Sequence, residues 1–433
     1  MTARRPGAAR PAPAVPPARA AALRRRLLAW YDASRRDLPW RAPQGRADPY
    51  RAWLAEVMLQ QTPVEAVIPY YRRFLEAFPT LPALAAAGEE EVLGLWAGLG
   101  YYARGRNLLA AAREAVARHG GLPGTLVALR ALPGFGPYTA GAVASIAFGV
   151  PAPAVDGNAA RVLARLFRVE RPPEERAARQ RIHRIAERLV PDGRPGDWNQ
   201  ALMELGATVC GRAPACARCP VEPLCEARRA GKERVIPPPR RRRAPTALRV
   251  ACAALWRGEE LLLVRRASRG LLGGLWELPG VVLDGTESPR AALRRALGDE
   301  LGIPAVVGRE VAAVERQLTH RRLRLVAYEI RALRPVPGTG PTVPGTGPRK
   351  RQAVPQAVPG TAVGAVGRRA VPGRRAVPGT AVGRGRGRET AVPGTGRAVP
   401  GMRWLDPAAL EGLAISTAMR RLVEALASTR AKE

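Results

Sequence analysis

The apolar residues change their spacing once along this chain, on either side of a Pro- and Arg-rich stretch from Pro237 to Arg243. From about residue 21 to residue 230 they recur at helical spacing, as between Tyr50 and Met58. Beyond the stretch, residues 248–264 and 323–330 carry β-type apolar runs, with a helical pattern over 290–301 between them. A chain of 433 residues is also longer than one domain with a single hydrophobic core usually is. We therefore predict an all-α domain followed by a smaller α/β domain.

Three compositionally biased segments flank these domains. Residues 1–20 are rich in Pro, Ala and Arg and lack acids, which predicts a disordered basic arm, with an organelle transit peptide as the alternative. Residues 231–246 indicate a basic linker. Residues 334–400 repeat Ala-Val-Pro-Gly-Thr-like units, too rich in Pro and Gly to form a core. We therefore expect a disordered insertion there, and an α/β domain made of 247–333 and 401–428.

The net charge is strongly positive. Lys and Arg total 70 residues against 36 Asp and Glu, a formal charge of +34. Such an excess suits a polyanionic partner such as nucleic acid, although Arg-rich coding in a GC-rich genome is an alternative cause. No apolar run approaches the ~18 residues of a membrane span, and no signal-peptide core is visible. We therefore expect a cytoplasmic, nucleoid-associated protein without a membrane partner.

A glycine-containing turn lies between two predicted helices. Gly134 and Gly136 stand two residues apart in the segment from Leu132 to Ala140, just before a helix of small residues. Glycines there allow positive φ and close approach of a ligand, while the free N–H groups of the turn can bind a phosphate. The segment predicts a helix-hairpin-helix that binds DNA. The alternative is a helix-helix turn that merely needs glycine.

Two carboxylates are candidates for chemistry at a glycosidic bond. Asp156 precedes a predicted helix over 159–167, so it is either an ordinary N-cap or a group that stabilises positive charge on a sugar. Glu56 has almost only apolar neighbours in sequence, and such surroundings raise the pKa of a carboxyl group and suit a general acid. The alternative for Glu56 is an acid on the polar face of an amphipathic helix.

Four of the five cysteines lie close together as C-x5-C-x2-C-x5-C, at Cys210, Cys216, Cys219 and Cys225. In a cytoplasmic protein such clustering favours a metal site over disulfides. Zinc ribbons usually show two Cys-x-x-Cys pairs and only one is present, while four thiolates also suit an iron-sulfur cluster. The spacing by itself leaves both metals open.

Five motifs occur in order between about Leu23 and Arg228. They are L-P-W-R at Leu38–Arg41, E-V-M-L-Q-Q-T at Glu56–Thr62, G-L-G-Y-Y at Gly98–Tyr102, V-D-G-N at Val155–Asn158 and N-Q-A-L-M-E-L-G at Asn199–Gly206. Together they resemble the helix-hairpin-helix glycosylase superfamily, and most closely the adenine DNA glycosylase family. The resemblance implies an all-α helix-hairpin-helix glycosylase domain over 21–208 and an iron-sulfur loop over 209–230.

The same resemblance implies a catalytic role for four residues. Glu56 would protonate the departing adenine, and Asp156 would stabilise an oxocarbenium-like sugar. Tyr138 and Asn158 would be supporting polar groups. The implied reaction is base excision repair of adenine mispaired with 8-oxoguanine or guanine in double-stranded DNA, by a monomer that leaves an abasic site.

DNA contacts are implied as well. Arg41 and Glu204 would lie near the extruded adenine. Three further residues would be wedges that open the base stack during flipping, namely Gln61, Leu99 and Tyr101.

The lysines argue for hydrolysis without strand cleavage. Glycosylases of this superfamily that also cut the backbone use a lysine nucleophile at the hairpin position held here by Tyr138. The whole chain has three lysines, Lys232, Lys350 and Lys432, none of them in the helical domain. This weakens one alternative, an endonuclease III-like pyrimidine or mismatch glycosylase. A second alternative, a non-enzymatic DNA-binding protein with a decayed site, would not require both Glu56 and Asp156.

The cysteine pattern departs from the family in one respect. Family members usually have six residues between the first two cluster cysteines, and here Gly211 to Ala215 make five. We still expect a 4Fe-4S cluster on Cys210, Cys216, Cys219 and Cys225, because one residue can be absorbed in a surface loop. Its implied role is to shape a DNA-binding loop.

The second domain resembles a Nudix domain in the segment from Gly273 to Gly280 and the helix that follows. Ala296 and Asp299 stand where Nudix helices carry Mg²⁺-binding glutamates, so we expect recognition of 8-oxoguanine rather than pyrophosphatase activity. Thr319 and His320 occupy the region of a loop that probes the damaged base. An ordinary strand-end histidine is the alternative for His320.

Overall fold

The computed structural model describes residues 15–42, 45–239, 245–267, 272–283, 285, 287–317, 321–334 and 401–431. The predictions for residues 1–14, for residues 335–400 and for Thr319 and His320 lie outside this range. Within it, no helix has the length and apolar character needed to cross a membrane.

The first part of the described chain is helical, as predicted. Its helices are α1 Pro17–Ser34, α2 Pro49–Met58, α3 Val64–Ala77, α4 Leu81–Ala86, α5 Glu89–Trp96, α6 Ala103–His119, α7 Leu126–Ala131, α8 Pro137–Phe148, α9 Gly157–Leu166, α10 Arg176–Leu189, α11 Pro195–Thr208 and α12 Glu226–Arg229. Two 3₁₀ turns, Cys216–Arg218 and Glu222–Leu224, shape the cysteine loop before α12.

These helices form two packed halves. One core unites α2 to α8 around large side chains such as Trp53, Trp96 and Phe74. The other unites α1 with α9, α10, α11 and the cysteine loop around Trp198 and Tyr31. A cleft lies between the halves and is lined by residues of α2, α8, α9 and α11.

Two predicted boundaries are wrong. The arm was expected to reach residue 20, but α1 begins at Pro17, and Arg19 forms an ion pair with Glu226 of α12. The linker was expected to begin at residue 231, yet Ile236 is buried in the second half and its carbonyl oxygen accepts a 2.7 Å hydrogen bond from Arg165. In the arm a side chain in an ion pair, and in the linker a buried apolar side chain, hold in place a segment whose composition predicted a disordered arm or a linker.

The second domain is a mixed α/β unit, as predicted. Its elements are β1 Thr246–Ala254, β2 Trp256–Arg257, β3 Glu260–Arg265, β4 Trp276–Glu277, β5 Gly280–Leu283, α13 Pro289–Leu301, β6 Ala305–Gln317, β7 Arg321–Ala332, β8 Met402–Leu405 and α14 Thr417–Arg430. One sheet has the order β5-β1-β7-β6, with β1 and β7 parallel, and the other joins β2, β3, β4 and β8. Helices α13 and α14 pack on separate cores of this domain.

The two domains share a core. Leu275 and Ala414 of the second domain are buried among the side chains of the first half of the helical domain. The Tyr102 hydroxyl donates to the backbone oxygen of Ile415 at 3.1 Å, and the Trp276 indole donates to Glu90 at 2.9 Å. The domains therefore meet through a buried, hydrogen-bonded contact.

Candidate active site and cysteine loop

The cleft between the two helical halves has a volume of about 620 Å³. Its lining brings together seven of the predicted catalytic and DNA-binding residues: Arg41, Glu56, Gln61, Tyr138, Asp156, Asn158 and Glu204. A cleft of this size can take a nucleobase with its sugar. The fold therefore brings these seven residues to one cleft, while their roles stay a prediction.

Glu56 lies on α2, a helix that is buried on nearly every side. Its residue is only 7% exposed, so the alternative of an acid on a polar helix face is wrong. Burial raises the pKa of Glu56 to about 7, with nearby Asp156 adding to the rise, while Tyr138 and Arg41 oppose it. The Tyr138 hydroxyl donates a hydrogen bond to Glu56 Oε2. Near neutral pH this carboxyl group can therefore hold a proton and give it up.

The raised pKa predicts a pH-dependent stability. The folded protein keeps the Glu56 proton up to about pH 7, whereas the unfolded chain releases it near the ordinary value of 4.5. The contribution of this group is therefore greatest below 4.5 and is lost as the pH rises to about 7, by roughly 3 kcal/mol. Glu56→Gln removes that dependence. The free energy of unfolding of E56Q, relative to that of wild type, should therefore increase as the pH rises across this interval. Urea titrations at pH 4.5 and pH 8 measure it; an unchanged difference would contradict the buried, uncharged carboxyl.

Asp156 is an N-cap, as one interpretation of its sequence position predicted, and it also lies in the cleft. It caps α9, since its Oδ1 accepts from Ala159 N at 2.7 Å, and it lines the cleft beside Glu56. Its Oδ2 accepts from Asn158 Nδ2 at 3.0 Å, and Asn158 Oδ1 in turn accepts from Arg161 at 2.8 Å. Capping fixes the carboxylate in space, so its charge is held ready at the cleft wall.

The buried amide of Asn199 on α11 holds the segment that precedes Asp156. It donates to Ala152 O and to Ser145 Oγ, both at 2.8 Å, and accepts from Ala154 N at 3.1 Å. This asparagine therefore places the start of α9 against α8.

Glu204 is 2% exposed and pairs with two arginines. It accepts from Arg41 at 2.7 Å and from Arg36 at 2.6 and 3.1 Å. Burial on its own would raise the pKa of Glu204, but these two guanidinium groups outweigh it and hold the pKa below its ordinary value. The cleft thus has an ionised carboxylate at Glu204 and, at Glu56, a carboxyl group whose pKa of about 7 lets it donate a proton near neutral pH.

Two of the predicted wedge residues lie in strained backbone. Gln61 has φ +60° and Tyr101 has φ +49°, in the left-handed region that side chains rarely adopt. Gln61 is exposed, and Tyr101 is 44% exposed. Leu99, predicted as a third wedge, is instead 7% exposed and packs into the first core. Its apolar side chain supports the loop from beneath.

The helix-hairpin-helix is formed by α7, the turn 132–136 and α8. Gly134 has φ +75°, and a Cβ there would meet Asn107 Cβ at 2.8 Å, so the turn needs glycine. Gly136, expected to need positive φ as well, has φ −71° and caps α8. A Cβ at Gly136 would meet open space, which leaves the backbone N–H groups of the helix start accessible to an anion.

The four clustered cysteines line one small pocket with Arg165 and Arg228 beside them. Among the described residues, no three Cys, His, Asp or Glu side chains are arranged to hold a single metal ion. A pocket lined by four thiols has the number of ligands that a zinc ion or an iron-sulfur cluster would need. Arg165 donates to Cys210 Sγ at 3.2 Å and to Gly211 O at 2.6 Å, so a cation supports the loop from inside.

Several arginines of the site were not predicted from the sequence. Arg36 is the second partner of Glu204, and Arg161 donates to both Asn158 and Cys210 O. Arg104 donates into the two loops that carry Gln61 and Tyr101. Only their proximity to predicted site residues could have pointed to these arginines in the sequence. Arg36 lies five residues before Arg41, and Arg104 lies three residues after Tyr101.

Comparison with known proteins adds to this geometry. The profile of the HhH-GPD superfamily of base excision DNA repair proteins matches residues 54–188, and that of the NUDIX domain matches residues 251–359. The chain is similar to the adenine DNA glycosylase of Homo sapiens, with 40% identity over 367 residues that cover 71% of this chain and 66% of that protein. It is also similar to the adenine DNA glycosylase of Rattus norvegicus, with 38% identity covering 75% of this chain and 73% of that one. A solved thermostable thymine-DNA glycosylase is 29% identical over 49% of this chain and 98% of its own, with a TM-score of 0.44.

Proposed function

Because this chain belongs to the adenine DNA glycosylase family and is a base excision repair hydrolase of N-glycosyl bonds, we propose that it removes adenine opposite 8-oxoguanine or guanine. The observation that carries the proposal is the presence in one cleft of the buried Glu56, hydrogen-bonded to Tyr138, and of the Asp156 carboxylate that caps α9. The product is an abasic site in double-stranded DNA, and we place this work in the cytoplasm, at the nucleoid.

The first step gives the departing base a proton. The adenine leaves the stack and enters the cleft, where Glu56 donates its proton to a ring nitrogen. The bond between the sugar carbon and the base then breaks, and its electron pair leaves with the neutral adenine. Tyr138 supports this step, because its hydroxyl donates to Glu56 Oε2 and fixes the direction of the carboxyl group.

The second step concerns the sugar. Bond breaking leaves positive charge on the sugar, and the Asp156 carboxylate stabilises it. Asn158 orients that carboxylate through its 3.0 Å hydrogen bond. Water then adds to the sugar carbon and gives its proton to the Glu56 carboxylate left by the first step, which completes the hydrolysis and restores the acid.

We further propose that the enzyme does not cut the DNA backbone. No lysine lines the described cleft, and Tyr138 occupies the hairpin position that a lysine nucleophile would take. Lys232, the lysine within the described residues, forms an ion pair with Glu170 at 2.9 Å outside the cleft. The described residues of the cleft therefore include no lysine amine that could form a Schiff base with the sugar.

We assign recognition of the opposite 8-oxoguanine to the second domain, with Thr319 and His320 as the probing residues. The support is the position of this domain, which contacts the loop of Tyr101 through the neighbouring Tyr102. The domain is thus held against the segment that would enter the duplex. A monomer suffices for this arrangement, because both domains come from one chain.

We propose that Cys210, Cys216, Cys219 and Cys225 hold a 4Fe-4S cluster. Such a cluster ties four points of the loop together and supplies no step of the hydrolysis. The surrounding residues fit it, since the pocket of thiols is bordered by guanidinium groups that balance the negative charge of thiolate ligands.

Removal of one ligand tests the cluster. Cys219→Ser should lower the iron and sulfide content and the visible absorbance of the purified protein, and should also lower its melting temperature, because the loop loses its internal support. Cys252→Ala is the matched control, since Cys252 is a buried thiol of the second domain. Full iron content in C219S, or equal iron loss in C252A, would remove the assignment.

The substrate is tested with three duplexes, carrying adenine opposite 8-oxoguanine, adenine opposite guanine, and thymine glycol opposite adenine. We expect strand breaks at the adenine only after hot alkali, which marks an abasic site left by hydrolysis. Breaks at thymine glycol without alkali would mean an endonuclease III-like activity. DNA binding without any cleavage would mean a non-enzymatic protein.

A further inference from the structure

Arg104, near the start of α6, has a guanidinium group that contacts two loops at once. One of its terminal nitrogens donates to Val57 O and Met58 O, each at 2.9 Å, and to Gln60 O at 2.6 Å. Val57 and Met58 are the last two residues of α2, whose final carbonyl groups lack partners within the helix, and Gln60 follows two residues later. Arg104 therefore anchors the segment that leads into Gln61.

The other terminal nitrogen reaches the second loop. It donates to Leu99 O at 3.2 Å and to Gly100 O at 3.3 Å, and also to Thr62 Oγ1 at 3.2 Å. Leu99 and Gly100 lead directly into Tyr101. One rigid planar group thus bridges the residues on both sides of Gln61 to the residues before Tyr101.

This arrangement costs free energy, because it buries a charged group and is flanked by strained backbone, and ordinary packing does not require either. The hydrogen-bond acceptors of Arg104 are uncharged oxygens, its guanidinium group lies 5.6 Å from the ring centres of Trp96 and Tyr101, and its Nε is buried without a hydrogen bond. Burial lowers the pKa of Arg104 to about 10, so it remains a cation at neutral pH. Gln61 and Tyr101, the residues next to its contacts, both have positive φ. Strain of this kind persists where the surrounding contacts over-determine a functional geometry.

We propose that Arg104 is a positioning residue that fixes the segments of Gln61 and Tyr101 as one wedge, so that both enter the base stack together. The inference rests on the proposed base-flipping function. Without the bridge, either strained segment is free to relax to negative φ, and the two side chains lose their common position.

The test replaces Arg104 by lysine, which keeps the charge but cannot bridge both loops with a planar fork. Extrusion is followed by the fluorescence of 2-aminopurine placed beside the target adenine, a signal that does not require the base to be cut. We expect R104K to lose most of the fluorescence rise. Single-turnover excision opposite 8-oxoguanine should fall by on the order of 10²-fold.

Substrate rescue separates a wedge from a general structural role. When the pairs flanking the adenine are mismatched, the stack is already open, and the loss in R104K should shrink to about tenfold or less. The pH dependence set by Glu56 should stay where it is in wild type. An equal loss on both duplexes, or a normal fluorescence rise in R104K, would overturn the proposal.

Arg113 offers a matched control on the same helix. It donates to Ala85 O at 3.1 Å and Ala87 O at 2.7 Å at the end of α4, far from the wedge. R113K should lower the melting temperature without changing extrusion or excision. If R104K does not fold, Thr62→Val removes one acceptor of the bridge and should give a smaller loss that the open duplex also rescues. Extrusion by wild type without excision would refute the proposed chemistry and leave the wedge standing.

Discussion

Replacing Glu56 by glutamine is expected to slow adenine release by on the order of 10³-fold, because the base must then leave without a proton donor. Affinity for substrate DNA should persist, since glutamine keeps the shape of the side chain and can still bond to Tyr138. The wild-type rate should be highest below the Glu56 pKa of about 7 and should fall as the pH rises through it, because only the protonated acid is active. Single-turnover rates from pH 5.5 to pH 9 measure both effects.

The matched control is Glu76→Gln on α3, which removes the same charge from an exposed position. It should leave the rate and its pH dependence unchanged. Cleavage by E56Q at the wild-type rate would show that another group protonates the adenine. A pH profile that keeps its inflection near 7 in E56Q would assign that inflection to a different residue.

Replacing Asp156 by asparagine is expected to lower the rate of excision by on the order of 10²–10³-fold, because the sugar cation loses its stabilising charge. Asparagine is as good an N-cap as aspartate, so α9 should keep its start and most of its stability. The variant therefore separates the charge of Asp156 from its capping role. Single-turnover excision and thermal unfolding of D156N are the two measurements.

Asp48 provides the comparison, because it caps α2 with a 2.8 Å bond to Arg51 N and does not line the cleft. D48N should change neither the rate nor the melting temperature appreciably. If D156N and D48N behaved alike in the rate, Asp156 would be a structural cap alone. If D156N lost its folded structure, the carboxylate charge would be needed for the fold as well.

The sequence indicated the surroundings of Glu56 and Asp156 because each residue has a local signature, while their catalytic roles stay a prediction. Glu56 stands among apolar residues on a helix, and the structure buries that helix. Asp156 stands one residue before a helix, and the structure makes it a cap that faces the cleft. The division into a helical and a mixed α/β domain was likewise visible, since it follows from the period of the apolar residues.

Other features depend on distant contacts that no local pattern encodes. Strand β6 was missed because most of its side chains are not buried, so that its apolar period is weak. Leu99 was predicted as a wedge, and its burial in the first core could not be foreseen because it depends on helices distant in sequence. The bridging role of Arg104 depends on α2 lying beside the loop of Tyr101, which is a property of the fold.

The contact between the domains determines how the protein unfolds. Leu275 and Ala414 are part of the core of the first helical half, and Tyr102 bonds to Ile415 across the boundary. Heat should therefore melt both domains in a single transition. A fragment ending near residue 239 would expose apolar surface that the second domain normally covers. If such a truncated protein lost activity, the loss would reflect a destabilised helical core as well as the absence of the domain proposed to recognise the opposite base.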